Sequence, residues 1–218
     1  YDVTPKFNSP VTQINVLDGK AIVTIANGEQ FEADNCIVTV GAWAKQLLDE
    51  TGLNLPVQAT RKTFAWFEAP EELYCERLYP GFTFQFGNES YYGFPSIDRS
   101  GLKVGRHDGG QVIHPSDVKA PFGTVEGDFE DLQRFLSSYM PSVGDFKEGK
   151  TCMYAMTPDE DFIIDTHPIH KEIILAAGFS GHGFKFASAV GEALSEIAQN
   201  QQTTIDLTPF RLSRFDLK

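Results

Sequence analysis

The chain has 218 residues, enough for a sizeable core in one domain or two small lobes. Its formal net charge of −12 argues against nucleic-acid phosphates and anionic membranes as partners, and no apolar run approaches the length of a membrane span. Its three cysteines (Cys36, Cys75 and Cys152) form an odd, widely spaced set that suits a reducing compartment better than a disulfide framework, so we expect a cytoplasmic protein.

Residues 11–41 are predicted to form a meander of short strands. Two dipeptides, Asp18-Gly19 and Asn27-Gly28, separate segments of strand-like sequence. Both dipeptides favour the type I′ turns that join antiparallel strands in hairpins.

The last segment of this meander ends in Cys36 to Val40, which is apolar enough to be buried. Gly41 would then let the chain turn into a helix over 42–50, and Gly52 would end that helix. We expect its apolar side chains to be buried: Trp43, Ala44, Leu47 and Leu48.

From Pro56 onward, Tyr and Phe become frequent and the pattern favours a sheet with a helical cover. The predicted helix runs from about Asp128 to Met140, where Pro141 ends it. Its apolar face would consist of Phe129, Leu132, Phe135, Leu136 and Tyr139. The predicted strands cover residues 58–68, 82–86, 90–95, 102–107 and 150–155.

A short apolar run from Ile173 to Ala177 is typical of a buried strand, and a glycine-rich loop and a helix follow it. This arrangement aims backbone N–H groups and a positive helix end at an anion or a polarised carbonyl. The loop lacks the third glycine of the G-x-G-x-x-G fingerprint. On spacing alone, packing is therefore a better explanation of these glycines than cofactor binding. The helical apolar stripe comprises Phe186, Ala189, Val190, Ala193, Leu194, Ile197 and Ala198.

The acidic and histidine-containing segment before this strand could in principle hold a divalent metal. However, Pro168 prevents a regular helical face between the two histidines, and His-x-x-His alone is a weak signal. We therefore expect no metal site here. The residues concerned are Asp159, Asp161, Asp165, His167 and His170.

Two motifs carry a resemblance to a known family: GFSGHGFKFAS from Gly178, and TCMY followed by TPDEDFIIDTHP from Thr151. They resemble the C-terminal part of the monomeric sarcosine oxidase and N-methyl-tryptophan oxidase family, which are flavoprotein amine oxidases with covalently attached FAD. The ending DLTPFRLSRF is more similar to the N-methyl-tryptophan branch. The resemblance covers essentially the whole chain, yet the chain contains no strand–G-x-G-x-x-G–helix unit, which the family places at its N-terminus. We therefore expect the chain to be the C-terminal part of a longer enzyme.

The resemblance implies an α/β (α+β) fold. A mixed-sheet substrate domain with covering helices would occupy residues 56–148. The C-terminal remainder of a Rossmann-like FAD-binding domain would comprise residues 1–55 and 149–218. The parent enzyme would be a monomer, whereas the C-terminal part alone is expected to hold no FAD, to be inactive and to be able to self-associate.

The resemblance also implies which residues contact the flavin. Cys152, within Lys-Thr-Cys-Met-Tyr, matches the flavin-linking cysteine, although most free cysteines are simply small buried hydrophobes. Backbone donors at Gly181, His182 and Gly183 would face the pyrimidine end of the ring. The other expected cofactor neighbours are Thr39, Val40, Gly41, Gly178 and Lys185.

Five side chains match the family's catalytic pocket. Lys103 would lie over flavin N5 and promote the reaction with oxygen, His107 would line the substrate pocket, and Lys185 would grip the substrate carboxylate. Tyr92 and Tyr154 match pocket tyrosines. On spacing alone, the first lysine and the histidine would be surface residues, and the tyrosines would be core aromatics.

The implied activity is the oxidative demethylation of an N-methyl amino acid by oxygen, which gives the amino acid, formaldehyde and hydrogen peroxide. The partners would be the small-molecule N-methyl amino acid and oxygen, with no nucleic acid and no membrane. An alternative from another class is a stand-alone, non-catalytic ligand-binding or interaction module derived from this lobe.

Overall fold

The computed structural model describes residues 3–117 and 119–216. These residues divide into two compact units. The first unit holds the chain up to Ala59 and again from Tyr154 onward, and the second runs from Thr60 to Met153. The domain limits implied by the resemblance stay a prediction.

The secondary structure is mixed, as expected for an α/β chain. In the described residues, no helix combines the length and the apolar character needed to cross a bilayer. The strands are β1 (Val11–Leu17), β2 (Lys20–Ile25), β3 (Gln30–Ala33), β4 (Cys36–Val38), β5 (Gln58–Phe67), β6 (Phe82–Phe86), β7 (Glu89–Phe94), β8 (Leu102–Arg106), β9 (Gln111–Val112), β10 (Phe146–Met156), β11 (Ile163–Thr166) and β12 (Ile173–Ala177). The helices are α1 (Ala44–Asp49), α2 (Glu71–Tyr74), α3 (Glu130–Tyr139) and α4 (Ala187–Ala198).

Strands β1, β2 and β3 form the predicted antiparallel meander. Asp18 and Gly19 both have positive φ angles, 51° and 72°, as a type I′ turn requires. The type I′ prediction at Asn27-Gly28 is wrong, because only the glycine has a positive φ, of 87°. Ile25 O accepts a hydrogen bond from Gly28 N at 2.8 Å. The loop therefore has three residues, and it forms a type I turn closed by a glycine bulge.

A second three-stranded sheet has the order β11-β12-β4. β12 is antiparallel to β11 but parallel to β4, with Ile173 opposite Cys36. The segment from Cys36 therefore leaves the meander, contrary to the prediction. It is also less buried than predicted: Val38 is 2% exposed but Ile37 is 42% exposed, because successive side chains on this edge strand face opposite sides.

The predicted helix over 42–50 is shorter than expected. Gly41–Trp43 forms a 3₁₀ turn, and α1 begins only at Ala44. Ala44 and Leu48, one helical turn apart, are both fully buried, but Trp43 is 47% exposed. The burial predicted for this tryptophan is wrong, because it precedes α1 and lies outside the helix's buried stripe.

The buried strand β12 lies between two apolar cores. Ile173, Leu175 and Ala177 pack into one core together with α1. Ile174 and Ala176 pack into the other, together with Ala193 and Leu194 of α4. This double burial agrees with the continuous apolar run in the sequence. Phe186, at the start of the predicted stripe, is instead 41% exposed.

The second unit contains a larger sheet with the order β10-β5-β8-β7-β6, in which β9 also pairs with β5. Helix α3 packs against one face, where Leu132 and Phe135 contact a core that includes Val104. Tyr139 is 48% exposed, although its ring stacks on Phe86 at 4.3 Å. Side chains that alternate with this core point to the opposite face of the sheet.

Candidate functional site

The segments expected to lie beside the cofactor meet at one edge of the β11-β12-β4 sheet. The parallel strands β12 and β4 are in register as far as Leu175 opposite Val38. β4 continues into Thr39, Val40 and Gly41, and β12 continues into the loop from Gly178. Both segments therefore leave the carboxyl ends of parallel strands, the place where ligands bind in open α/β sheets.

The glycines of this loop are needed for close packing inside the first unit. A Cβ on Gly178 would lie 2.3 Å from Thr157 Cγ2, and one on Gly181 would lie 2.1 Å from Tyr154 Cε2. Both glycines also have positive φ angles, 65° and 79°. The glycines thus have the packing role that their spacing suggested. They allow the loop backbone to lie directly against Tyr154 at the end of β10 and against Thr157, which follows it.

A buried serine anchors the loop, and sequence reasoning missed it. Ser180 is fully buried, its N–H donates to Ala155 O at 2.9 Å, and its hydroxyl donates to Gly178 O at 3.1 Å. The same hydroxyl oxygen lies 3.3 Å from the N–H of Thr157. A serine between glycines is typical of any turn, so nothing in the sequence distinguishes this anchor.

His182 and Lys185 form the mouth of the loop. The amide of His182 donates to Phe179 O at 3.0 Å, and its Nε2 lies 3.0 Å from Glu160 O and therefore carries a proton. The ammonium of Lys185, which is exposed, donates to His182 O at 2.9 Å. Three backbone amides were expected to face a ligand, those of Gly181, His182 and Gly183. Within the described residues, the amides of Gly181 and Gly183 have no hydrogen-bond acceptor.

In the second unit, the predicted catalytic residues share one sheet face, opposite α3. Lys103 and Gly105 alternate with the buried Leu102 and Val104 along β8. Tyr92 pairs with Gly105, and its ring lies across that glycine: a Cβ there would be 2.7 Å from Tyr92 Cζ. His107 follows directly after β8.

Cys152 lies on β10 and is half-buried. Burial raises the pKa of its thiol, while the positive charges of Lys103, Lys62 and Lys119 lower this pKa in part. Burial lowers the pKa of the Lys103 ammonium, and the interaction with Cys152 opposes this effect in part. The structure thus brings this cysteine and this lysine within electrostatic reach of each other.

A buried lysine lies near Cys152, and no sequence pattern predicted its burial. Lys62 is 4% exposed, and its ammonium donates to the carbonyls of His107 and Gly109. These two residues belong to the loop between β8 and β9. Lys62 therefore holds in place the backbone that carries His107.

Three of the residues considered for a metal have other partners. Asp159 pairs with Arg214 and Asp165 with Arg211, both at 2.7 Å. His167 is fully buried and lies 3.0 Å from Thr51 Oγ1. Within residues 3–117 and 119–216, no three His, Cys, Asp or Glu side chains are grouped closely enough to hold a metal ion.

Comparisons with known proteins identify the family of this chain. A family model described as FAD dependent oxidoreductase matches residues 2–197. An N-methyl-L-tryptophan oxidase from Escherichia coli (strain K12) is 46% identical over 210 residues, which is 96% of this chain and 55% of that protein. This chain thus spans about half the length of that relative.

Solved structures of oxidases share the fold. The crystal structure of iminodiacetate oxidase from Chelativorans sp. BNC1 has a TM-score of 0.72 and 22% identity, covering 94% of this chain and 52% of that one. Glycine oxidase from Geobacillus kaustophilus has a TM-score of 0.73 and 20% identity, covering 95% and 52%. At this level of identity, the likeness shows the fold.

Proposed function

The chain belongs to the family of FAD-dependent oxidoreductases, and from that premise we propose that it is part of an oxidase that demethylates N-methyl amino acids. The observation that carries the proposal is the meeting of Thr39–Gly41 with the Gly178 loop at the carboxyl ends of β4 and β12. The similarity to N-methyl-L-tryptophan oxidase supports the choice of substrate class.

The residues at this edge fit a flavin. A Cβ on Gly41, whose φ is 56°, would meet no atom within 4 Å, so a ligand can approach the backbone there. Gly181 is exposed and lies in a loop whose strained backbone is held by Ser180. We propose that the amides of Gly181 and Gly183 donate to the oxygen atoms of the flavin pyrimidine, where negative charge grows on reduction.

When bound, FAD would accept a hydride equivalent from the substrate and pass electrons to oxygen. Lys185 binds the substrate carboxylate, since its exposed ammonium has hydrogen-bonding capacity beyond its contact with His182 O. His107 and Tyr92, which belong to the same sheet face of the second unit, are proposed to orient the neutral amine of the substrate. The resemblance assigns a substrate contact to Tyr154 as well.

Lys103 acts on the oxygen step rather than on substrate binding. Its half-buried ammonium supplies a positive charge where negative charge develops on oxygen, and burial strengthens that interaction. Cys152 would hold the flavin through its sulfur. Its thiolate would replace one hydrogen of a ring methyl group, and the two electrons released would pass through the flavin to oxygen. Burial raises the pKa of this thiol, and the neighbouring lysines offset that effect in part.

The overall reaction consumes one N-methyl amino acid, one oxygen and one water, and it yields the demethylated amino acid, formaldehyde and hydrogen peroxide. The test is an assay of the full-length protein with N-methylated amino acids, in which oxygen uptake, formaldehyde and peroxide are measured together. We expect equal amounts of the three, and no formaldehyde from the same amino acids without the N-methyl group. A flavin-loaded protein that releases no formaldehyde from any N-methyl amino acid would contradict the proposal.

A further inference from the structure

The ammonium of Lys103 lies among three aromatic rings on the sheet face opposite α3. Its Nζ is 4.2 Å from the ring centroid of Phe64, 5.2 Å from that of Trp66 and 5.6 Å from that of Phe94. All three distances lie within the range of about 6 Å at which an aromatic face attracts a cation. We call these three residues the aromatic box.

Strand pairing fixes the aromatic box. Lys103 on β8 pairs with Trp66 of β5 on one side and with Phe94 of β7 on the other. Phe64, two residues before Trp66, points to the same face and meets its ring edge-on at 5.4 Å. Because all the rings belong to central strands of one sheet, their positions do not depend on a loop.

Other cations of this unit are neutralised differently. Arg61 is paired with Asp128, and Arg106 is paired with Asp108 and Asp131. For Lys103, by contrast, the described residues provide neither a carboxylate partner nor an oxygen that accepts a hydrogen bond from Nζ. The groups that favour its charged form are therefore the three ring faces and the Cys152 thiol.

This choice of partner has a chemical consequence. A carboxylate would keep the lysine protonated but would cancel its field, whereas apolar surroundings alone would favour loss of the proton. Aromatic faces stabilise the cation without adding a negative charge. They also oppose burial and the positive charge of Lys150, both of which lower the pKa of Lys103. The ammonium of Lys150 lies 5.3 Å from the centroid of the Trp66 ring.

We propose that the aromatic box of Phe64, Trp66 and Phe94 positions Lys103 and keeps it charged without a carboxylate partner, so that negative charge developing on oxygen meets an unneutralised cation. The inference rests on the proposed oxygen-directed role of Lys103. It assigns three positioning residues to that step, none of which needs to touch the substrate.

The geometry can be tested on this chain without any flavin. Lysines are converted to their ¹³C-dimethyl form, and the Lys103 signal is assigned by its loss in Lys103→Arg. Ring currents should shift this signal upfield of those from exposed lysines. Phe64→Leu and Trp66→Leu should each reduce the shift, while Phe67→Leu should leave it unchanged. Phe67 is the matched control, since it lies on the same strand but packs on the opposite face, against Phe129 and Phe146.

The function is tested by stopped-flow measurements on the full-length flavoprotein. Phe64→Leu and Trp66→Leu should slow the reaction of the reduced enzyme with oxygen by roughly 3- to 30-fold, the factor that corresponds to a partly buried cation–π contact. Anaerobic reduction by substrate should change less than the oxygen reaction. Phe64→Tyr, which keeps an aromatic face, should restore most of the oxygen reactivity.

The outcomes separate the two proposals. If Lys103→Met does not slow the oxygen reaction, the proposed role of the lysine is wrong, and the NMR shift alone decides whether the box exists. If Lys103→Met slows it but the box variants slow it no more than Phe67→Leu does, the aromatic-box inference is overturned and the role of the lysine stands. An unshifted Lys103 signal overturns the inference in either case.

Discussion

The ring of Tyr154 occupies the space that a side chain on Gly181 would need, with a Cβ–Cε2 separation of only 2.1 Å. Gly181 also has a φ of 79°, which L-residues rarely adopt. We predict that Gly181→Ala lowers the free energy of unfolding by about 2–4 kcal/mol, because strain and overpacking add. Urea denaturation of this chain measures the change.

Gly191→Ala is the matched control. Gly191 lies in the middle of α4, and a Cβ there would meet nothing within 4 Å. This change should stabilise the chain by about 0.5–1 kcal/mol, since alanine has the higher helix propensity. Equal stabilities of the two variants would show that the Tyr154 ring does not pack closely on Gly181.

The buried ion pair between Arg61 and Asp128 gives a second stability prediction. Two hydrogen bonds of 2.8 and 2.7 Å join them, and their side chains are only 3% and 6% exposed. Asp128→Asn leaves the guanidinium buried without a counter-charge and should cost about 3–5 kcal/mol. The exposed pair of Lys45 and Asp49, one helical turn apart, is the control, and Asp49→Asn should cost at most about 0.5 kcal/mol. Equal losses in the two variants would show that the buried pair is not formed.

His167 makes the stability of the first unit depend on pH. Its Nδ1 accepts hydrogen bonds from the amides of Ile169, at 3.2 Å, and His170, at 3.0 Å. Burial, together with the nearby His170 and Lys171, lowers the pKa of His167 from 6.5 to about 4. The unfolded chain therefore binds this proton more tightly than the folded chain does. The contribution of the neutral ring is complete above about pH 6.5 and is lost as the pH falls towards about 4.

The experiment compares the free energies of unfolding of the wild type and His167→Gln between pH 7.5 and 4. Their difference should shrink by about 3 kcal/mol as the pH falls, because one pKa unit corresponds to about 1.4 kcal/mol. Gln46→Ala, at an exposed position without a titrating side chain, serves as the control and should give a pH-independent difference. A constant difference for His167→Gln would mean that its ring is not held neutral.

The sequence predicted most of the strands because their apolar patterns are local. Phe82–Phe86 was predicted to the residue, and the Asp18-Gly19 turn was predicted with its type. β11 was missed because Ile163–Thr166 follows an acidic stretch and becomes a strand through pairing with β12. The parallel contact between β12 and β4 joins distant segments, so no local pattern could reveal it.

The candidate site was predicted mainly through the resemblance, since spacing alone favoured ordinary structural roles for most of its residues. The structure then brings Lys103, Tyr92 and Cys152 to one sheet in the second unit.

Local sequence could not predict the burial of Lys62 or His167, because partners of both lie far away along the chain. Lys62 binds the carbonyls of His107 and Gly109, and His167 lies 3.0 Å from Thr51 Oγ1. Polar residues on strands and turns are usually exposed, and they are buried only where hydrogen-bond partners offset the cost of desolvation.

The covalent link predicts a chemical difference between two cysteines. In the full-length flavoprotein, Cys152→Ala should leave flavin that acid extracts, because the sulfur that would hold it is gone. Cys75, also half-buried and in the same unit, is the control, and Cys75→Ala should keep its yellow colour after acid denaturation. Absorption spectra of the precipitated protein and of the supernatant measure the result. Acid-stable flavin in Cys152→Ala would rule out this attachment site.

Substitutions of the two site lysines should impair different half-reactions. Lys103 is half-buried among aromatic rings, so Lys103→Met should slow the reaction with oxygen far more than the anaerobic reduction by substrate. Lys185 is exposed at the loop mouth, so Lys185→Met should weaken binding of carboxylate substrates by roughly 1.5–3 kcal/mol, the value of a hydrogen bond to a charged group. Lys147→Met is the control, because this exposed lysine donates to Arg99 O at 3.3 Å and should change neither step strongly. Stopped-flow traces in which Lys103→Met and Lys185→Met impair the same half-reaction would show that the two charges do not have separate roles.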